Sequence, residues 1–209
     1  MEEAAIATLL HLLVFVYWLG GDLGAFTASF VVTDQRQPAQ VRLAAARLLG
    51  HVDMAPRSAL VLALPTGLTL AASRGWLELP PLLIAVIWAL AALWLLLLWR
   101  LHFNLSASFR SIDYTLRFCL LGGLTIAAWL VEPLFLKAKF ALLALAVVAG
   151  LAIRQLIAPL GPALGRLAQG DAETANPDIT RALRQARPLV ICIWTMLLAA
   201  AWLGVAKPA

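Results

Sequence analysis

Charge is scarce in this sequence. Of 209 residues only 13% are charged and 63% are hydrophobic, with a mean hydropathy of +0.89, which leaves too little polar surface to coat a water-soluble globule. Cysteine is nearly absent. Cys119 and Cys192 stand alone, each inside an apolar run, so no disulfide framework is indicated and packing is their first reading. Walker, Rossmann, Cys-x-x-Cys, Cys-x-x-Cys-His and His-Glu-x-x-His patterns are all missing, and nucleotide, zinc and covalent c-haem chemistry therefore have no motif to rest on. The net charge is +5. Its basic residues are scattered singly between apolar runs, as helix-flanking anchors are, which argues against a nucleic-acid partner. Glu2 and Glu3 occupy the place of a signal peptide's basic region, and no small-residue cleavage site ends the first apolar run. That run is expected to be a retained helix.

What the chain has in quantity is long apolar segments. A hydrocarbon core about 30 Å thick takes about 20 apolar residues per helix. Six segments qualify, Ala4–Val32, Leu48–Ala72, Leu79–Trp99, Arg117–Val131, Phe140–Ile157 and Leu189–Val205, and they predict an all-α integral membrane bundle of about six transmembrane helices with no soluble domain. His51, Asp53 and Arg57 interrupt the second segment, and the fourth is short before Glu132, so both are expected to extend through polar flanks. The one long connection runs from Ala158 to Arg187. Within it, Asn176-Pro177-Asp178 reads as a helix start, with a capping side chain, a proline at the first position and an acid in the first turn. A short surface helix running into the last span is expected there.

Positive residues are retained on the cytoplasmic side. The odd-numbered connections carry Arg36, Arg42, Arg47, Arg57, Arg100, Arg110, Arg117, Arg154, Arg166, Arg181, Arg184 and Arg187, against Arg74, Lys137, Lys139 and Lys207 on the opposite face. Both termini are thus expected outside, an N-out/C-out multi-pass arrangement in a bacterial inner membrane. An internal repeat is visible within this single domain: Gly67-Leu-Thr-Leu-Ala-Ala72 recurs as Gly123-Leu-Thr-Ile-Ala-Ala128, relating residues 58–110 to 114–166 in parallel.

Ionisable residues inside hydrocarbon cost at least ~2.5 kcal/mol each and are functional candidates by default. In the first span His11, Phe15, Trp18 and Asp22 are spaced 4, 3 and 4 apart, so they form one stripe on a 3.6-residue helix. His11 falls roughly 10 Å outside the span's centre, toward the periplasm, and Asp22 lies on the cytoplasmic side. Gly20, Gly21 and Gly24 strip side chains from around Asp22, which allows a neighbouring helix or a flat ligand to come close.

His51 and His102 are expected near the cytoplasmic ends of spans two and three, among Asp22, Asp53, Arg57 and Arg100. The plain reading of that cluster is a polar network tying helix ends together; the sharper one is a second site in which both imidazoles bind one haem or metal. Cys119, Cys192 and Met54 sit near the same face and supply the soft ligands that Cu(I) prefers. Trp76, Trp99 and Trp202 fall near interfaces, as belt anchors do, while Trp18, Trp88, Trp94, Trp129 and Trp194 are expected deeper, in the core.

The run Leu10-His-Leu-Leu-Val-Phe-Val-Tyr-Trp-Leu-Gly-Gly21 resembles the first helix of CopD-type copper-resistance membrane domains and of HemJ-type protoporphyrinogen oxidases. Both open with Leu-His, about six apolar residues, Trp and a small-residue pair. Leu64-Pro-Thr-Gly67 and Leu136-Lys-Ala-Lys139 are similar to the second and third helices of HemJ-like proteins. The resemblance implies haem b ligated by His11, with Trp18 and Phe15 on the haem face and Lys139 or Arg74 pairing with propionates. This chain departs from HemJ-type proteins in its greater length and in Thr27–Thr33, where they carry basic residues. An imidazole hydrogen-bonded to a backbone carbonyl is the structural alternative for His11.

Taken together, the expectation is a haem-b membrane protein of electron transfer or of porphyrin- or quinone-linked redox chemistry, which would make it a membrane oxidoreductase. Its surroundings would be the lipid bilayer, a redox partner or larger membrane complex, and a second copy of itself. The alternatives are CopD-like copper handling and an accessory membrane subunit with no redox centre of its own.

Overall fold

The computed structural model describes residues 2–102 and 107–206, with the side chains of 107–110 left aside; of the residues in the charge comparison, Lys207 and the side chain of Arg110 therefore lie outside the described residues. The described residues are predominantly helical and include no strand. Eight helices follow one another: α1 (Glu2–Thr33), α2 (Ala39–Val52), α3 (Met54–Ser73), α4 (Pro81–His102), α5 (Ala107–Leu130), α6 (Leu134–Leu156), α7 (Leu160–Ala168) and α8 (Ala172–Ala206). Five stretches, Glu2–Thr33, Ala39–Ser73, Pro81–His102, Leu134–Ala168 and Ala172–Ala206, are long and apolar enough to cross a membrane. A further helix, α5, has 24 residues, and its first half carries Asp113 and Arg117.

The helix ends follow from local chemistry. Gly75 (φ +68) and Gly170 (φ +91) follow α3 and α7, and each permits the left-handed turn that satisfies the last carbonyls. Trp76 N–H donates to Ala71 and Gly75 N–H to Ala72 after α3; Asp171 N–H donates to Arg166 and Gly170 N–H to Leu167 after α7. This is the paired pattern of a glycine-terminated helix. Prolines Pro38 and Pro133 precede α2 and α6, and Pro81 opens α4, where a missing N–H costs nothing.

Several expected boundaries move. The second apolar segment is divided at Asp53, which caps α2, and the fourth starts at Ala107 rather than Arg117. The long connection holds a helix of its own, α7. The last helix starts at Ala172, not Asn176, because Asp171 caps it: the Thr174 amide donates to Asp171 Oδ1 at 3.2 Å and the Thr174 hydroxyl donates to Oδ2. Asn176 is occupied elsewhere, as an acceptor for Arg42. These Thr174 bonds hold the Asp171 carboxyl below the usual carboxylate range. A depressed folded-state pKa gives stability that is present at neutral pH and is lost as acid passes through the lowered value.

The chain packs as two units, Met1–Gly21 with Met54–Leu120, and Asp22–Asp53 with Leu121–Ala209. In the first, α1 turns Ala7, Val14, Trp18 and Gly21 inward and leaves Leu9, Leu12, Val16 and Tyr17 exposed. α3 is buried on several faces, through Pro56, Ala59, Leu60, Ala63, Pro65, Thr66 and Ala71, as befits a central helix. It packs on α4, with Met54, Val61, Ala91, Trp94 and Leu98 forming a core. A Cβ on Gly21 would lie 2.6 Å from Pro56 Cδ and 2.8 Å from Ala55 Cβ, whereas one on Gly20 meets nothing within 4 Å. Gly21→Ala should therefore cost about 1–3 kcal/mol by forcing α1 off α3, while Gly20→Ala should be neutral or slightly stabilising. Thermal unfolding of the two variants in detergent checks this; equal effects would contradict it.

In the second unit α6 lies along α8; Ala144, Ala146, Val147 and Ala149 of α6 and Ile193 and Leu197 of α8 are buried. Small residues let membrane helices approach closely. The first half of α8 is amphipathic instead: Ala175, Ile179 and Leu183 join Val32, Ala163 and Leu167 in a second core. Gly24 serves here as the sequence suggested, since a Cβ would lie 2.9 Å from Val52 Cγ1.

Large apolar side chains cover the outside. Leu82 is 75% exposed, Trp129 82% and Val205 81%. A soluble protein rarely exposes such continuous apolar surface; a bilayer supplies it with a solvent, and helices satisfy the backbone within it. Trp129, expected in the core, belongs to this outer surface because it sits at the C-terminal end of α5 facing away from the packed helices.

Candidate functional site

His11 is held in the first unit between α1 and α3. Its half-buried ring lies with Nδ1 3.0 Å from Thr66 Oγ1. The Thr66 hydroxyl itself donates to the Leu62 carbonyl at 2.7 Å, which uses its single proton. With the hydroxyl proton so engaged, the matching neutral tautomer carries its hydrogen on Nδ1, which donates to Thr66, and keeps the lone pair on Nε2. This is the tautomer a metal ligand needs, with its second nitrogen fixed by a hydrogen bond.

The helix that supplies Thr66 makes room for the ring. A Cβ on Gly67 would fall 3.2 Å from His11 Cε1, so the imidazole rests against α3 where that helix has no side chain. Pro65, inside α3, removes one backbone donor, and Thr66 and Thr69 bond back to the Leu62 and Pro65 carbonyls. Trp88 of α4 donates its indole N–H to Thr69 Oγ1 at 2.9 Å, pinning the next helix to the same turn. Trp18 is buried two turns along α1 at 5% exposure, and Phe15 is half-buried between. One turn before His11, Thr8 accepts a hydrogen bond from exposed Arg74 at 3.2 Å. His11, Phe15, Trp18 and Arg74 are thus brought to one side of α1, as the stripe implied. Lys139 is not among them; it belongs to the other unit, half-buried, with Nζ 2.9 Å from where a Cβ on Gly204 would be.

His51 is exposed on the last turn of α2 and donates through Nδ1 to the Arg47 carbonyl at 2.8 Å, within its own helix. Asp22 and Asp53 are half-buried in the same unit as His51, while Arg57 and His102, both half-buried, and exposed Arg100 belong to the other. Cys119 and Cys192 are exposed, and Met54 is 2% exposed, packed with Val61, Ala91, Trp94 and Leu98. Among the described residues no group of three or more His, Cys, Asp or Glu is arranged to hold a metal ion.

Two polar features escaped the sequence reading. The first is a buried pair in the first unit: Asp113 is 1% and Arg117 7% exposed, with Arg117 Nε 3.2 Å from Asp113 Oδ2. Trp94 donates its indole N–H to Asp113 Oδ1 at 2.9 Å, and the Arg117 guanidinium lies over the Trp94 ring, 5.9 Å from its centre. The signal was the four-residue spacing of opposite charges on α5.

The second is at the C-terminal end of α1, which has no basic residue in its own last turn. Arg42 donates to the Val32 carbonyl at 2.9 Å, and Arg187 donates to the Ser29 carbonyl and to the Ser29 and Thr33 hydroxyls while lying 3.9 Å from the centre of the Phe30 ring. Cations here meet the negative end of the helix dipole and the carbonyls it leaves over. A charge count reads both arginines only as helix-flanking anchors.

No protein-family model, no curated protein and no solved structure matches this chain.

Proposed function

We propose that the chain is a haem-b membrane protein in which His11 Nε2 is an axial ligand and that it serves electron transfer or porphyrin- or quinone-linked redox chemistry, as the resemblance to HemJ-type and CopD-type proteins implies. The observation that supports this reading is the His11–Thr66 hydrogen bond, which orients the ring so that Nε2 would be the ligating nitrogen, with the ring resting against Gly67. A bound haem would supply a one-electron couple whose potential depends on its axial ligand and surroundings. The chain's own parts are these: Thr66 orients the imidazole and raises its basicity, Trp18 and Phe15 give a water-poor aromatic wall, and Arg74 offers a guanidinium to a carboxylate.

The test is an optical spectrum of the detergent-purified full chain, expressed with excess haem, before and after dithionite. A Soret band that shifts on reduction is expected. A colourless protein would end the haem reading and leave copper handling or an accessory role, which metal analysis would then separate.

The membrane orientation belongs to the same proposal. With the arginine excess inside, both termini face the periplasm of a bacterial inner membrane. A phosphatase reporter that works only outside the cytoplasm should be active when fused after Ala209; activity of a cytoplasm-only reporter at that position would reverse the arrangement.

A further inference from the structure

A groove in the second unit is rich in hydrogen-bond donors and holds an unusual cation behind it. It runs along the first half of α8, past Asn176, Thr180, Arg181, Arg184 and Gln185, with Gln35 of the α1–α2 turn on its other side. Behind Asn176 stands Arg42, only 3% exposed. Its Nε and Nη1 bonds go to neutral oxygens of Val32 and Asn176, and its Nη2 has no hydrogen-bond partner among the described residues. Arg42 holds the Asn176 carbonyl oxygen on its own side, and the Asn176 amide group adds two N–H donors. The Thr180 hydroxyl is likewise buried without a hydrogen-bond partner among the described residues. With Arg181 and Arg184 on its wall and Arg42 behind it against the single lining carboxylate of Glu173, the groove has an excess of donors and positive charge, which favours an anion.

The surface beyond the groove indicates what carries that anion. Residues 181, 184, 185, 188, 191, 192, 195, 198, 199 and 202 of α8 are all exposed, and their spacing puts them on one stripe. The stripe is Arg181, Arg184, Gln185 at its start and then turns apolar, through Pro188, Ile191, Leu198 and Trp202. Residues 188–198 rise about 15 Å, the depth of one leaflet of a ~30 Å hydrocarbon core. A soluble phosphate has no use for that continuation; an acyl chain does. Glu173, about 12 Å along the helix from Arg181 and at the other end of the groove, is an acceptor suited to headgroup hydroxyls.

From this juxtaposition we infer that the groove is a binding site for an anionic phospholipid with a hydroxylated headgroup, of the phosphatidylglycerol kind, its phosphate at Arg181, Arg184 and Thr180 and its acyl chain along the apolar stripe of α8. The site lies on the face to which the arginine excess is assigned, where anionic lipids attract basic residues.

Native mass spectrometry of the full chain in detergent, titrated with phosphatidylglycerol or with phosphatidylcholine of identical chains, tests it. Wild type should retain phosphatidylglycerol at least tenfold better. Arg181→Gln with Arg184→Gln should lose roughly 30-fold in phosphatidylglycerol affinity and leave phosphatidylcholine unchanged, whereas Arg181→Lys with Arg184→Lys should keep most of the preference; both arginines are exposed, and circular dichroism confirms that each variant is folded. Equal retention of the two lipids by wild type, or an unchanged preference in the glutamine variant, would overturn the proposal. So would displacement of the lipid by millimolar glycerol phosphate, which would make the ligand a soluble anion.

Discussion

Replacing Asp113 with Ala should lower the stability of the folded chain by about 3–5 kcal/mol, because it removes the carboxylate that is paired with a buried guanidinium. Arg117 is 7% exposed and cannot reach water without opening the core around Trp94. Trp94 would also lose the acceptor of its indole N–H, which adds the cost of a buried donor left over. The test of mechanism is the double change. Asp113→Leu with Arg117→Met keeps the volume and removes both charges together, so it should recover the part of the loss that comes from the unpaired guanidinium, while the Trp94 N–H still lacks the Asp113 acceptor. Denaturant titration in mixed micelles measures both; a double variant as unstable as Asp113→Ala would show that the carboxylate acts through something other than this pair.

The fold was legible where one helix decides its own fate. The stripe of His11, Phe15 and Trp18 could be read from spacing alone, and the packed glycines at 21 and 24 could be read from their lack of side chains, although Gly20 beside them faces open space. Long-range partners were not legible. Arg42 meets Asn176 across 134 residues of sequence and Arg187 meets Ser29 across 158, and nothing local marks either partner. A charge count treats every arginine as a solvated anchor, yet Arg42 and Arg117 are buried and Arg187 is half-buried onto the end of α1. The start of α8 was misplaced for a related reason. Asn176, Pro177 and Asp178 form a valid start signal, but Asp171 provides an earlier cap, the Asn176 side chain is spent on Arg42, and Asp178 pairs with Arg166. Proline at 177 is tolerated because the helix there is held by the core of Ile179, Leu183 and Ala163.

At His11 sequence and structure bear on the same atom. The spacing puts an imidazole on an inward stripe, and the Thr66 bond favours the tautomer with its hydrogen on Nδ1. On the proposed haem reading, Thr66→Val should weaken haem binding by roughly 10–100-fold, the usual effect of removing a partner that orients a ligand, while preserving the volume beside the ring. His11→Ala removes the proposed ligand and should be tolerated by the helix, since a small apolar residue suits a membrane span. His51 is exposed and bonded within α2, and His102 ends α4, so neither is expected to share the role. The decisive measurement is the Soret absorbance per protein of His11→Ala beside wild type, His51→Ala and His102→Ala, all purified after expression with excess haem. The account predicts a band lost or strongly altered in His11→Ala alone; an unchanged band in His11→Ala, with loss in His51→Ala or His102→Ala, would contradict it.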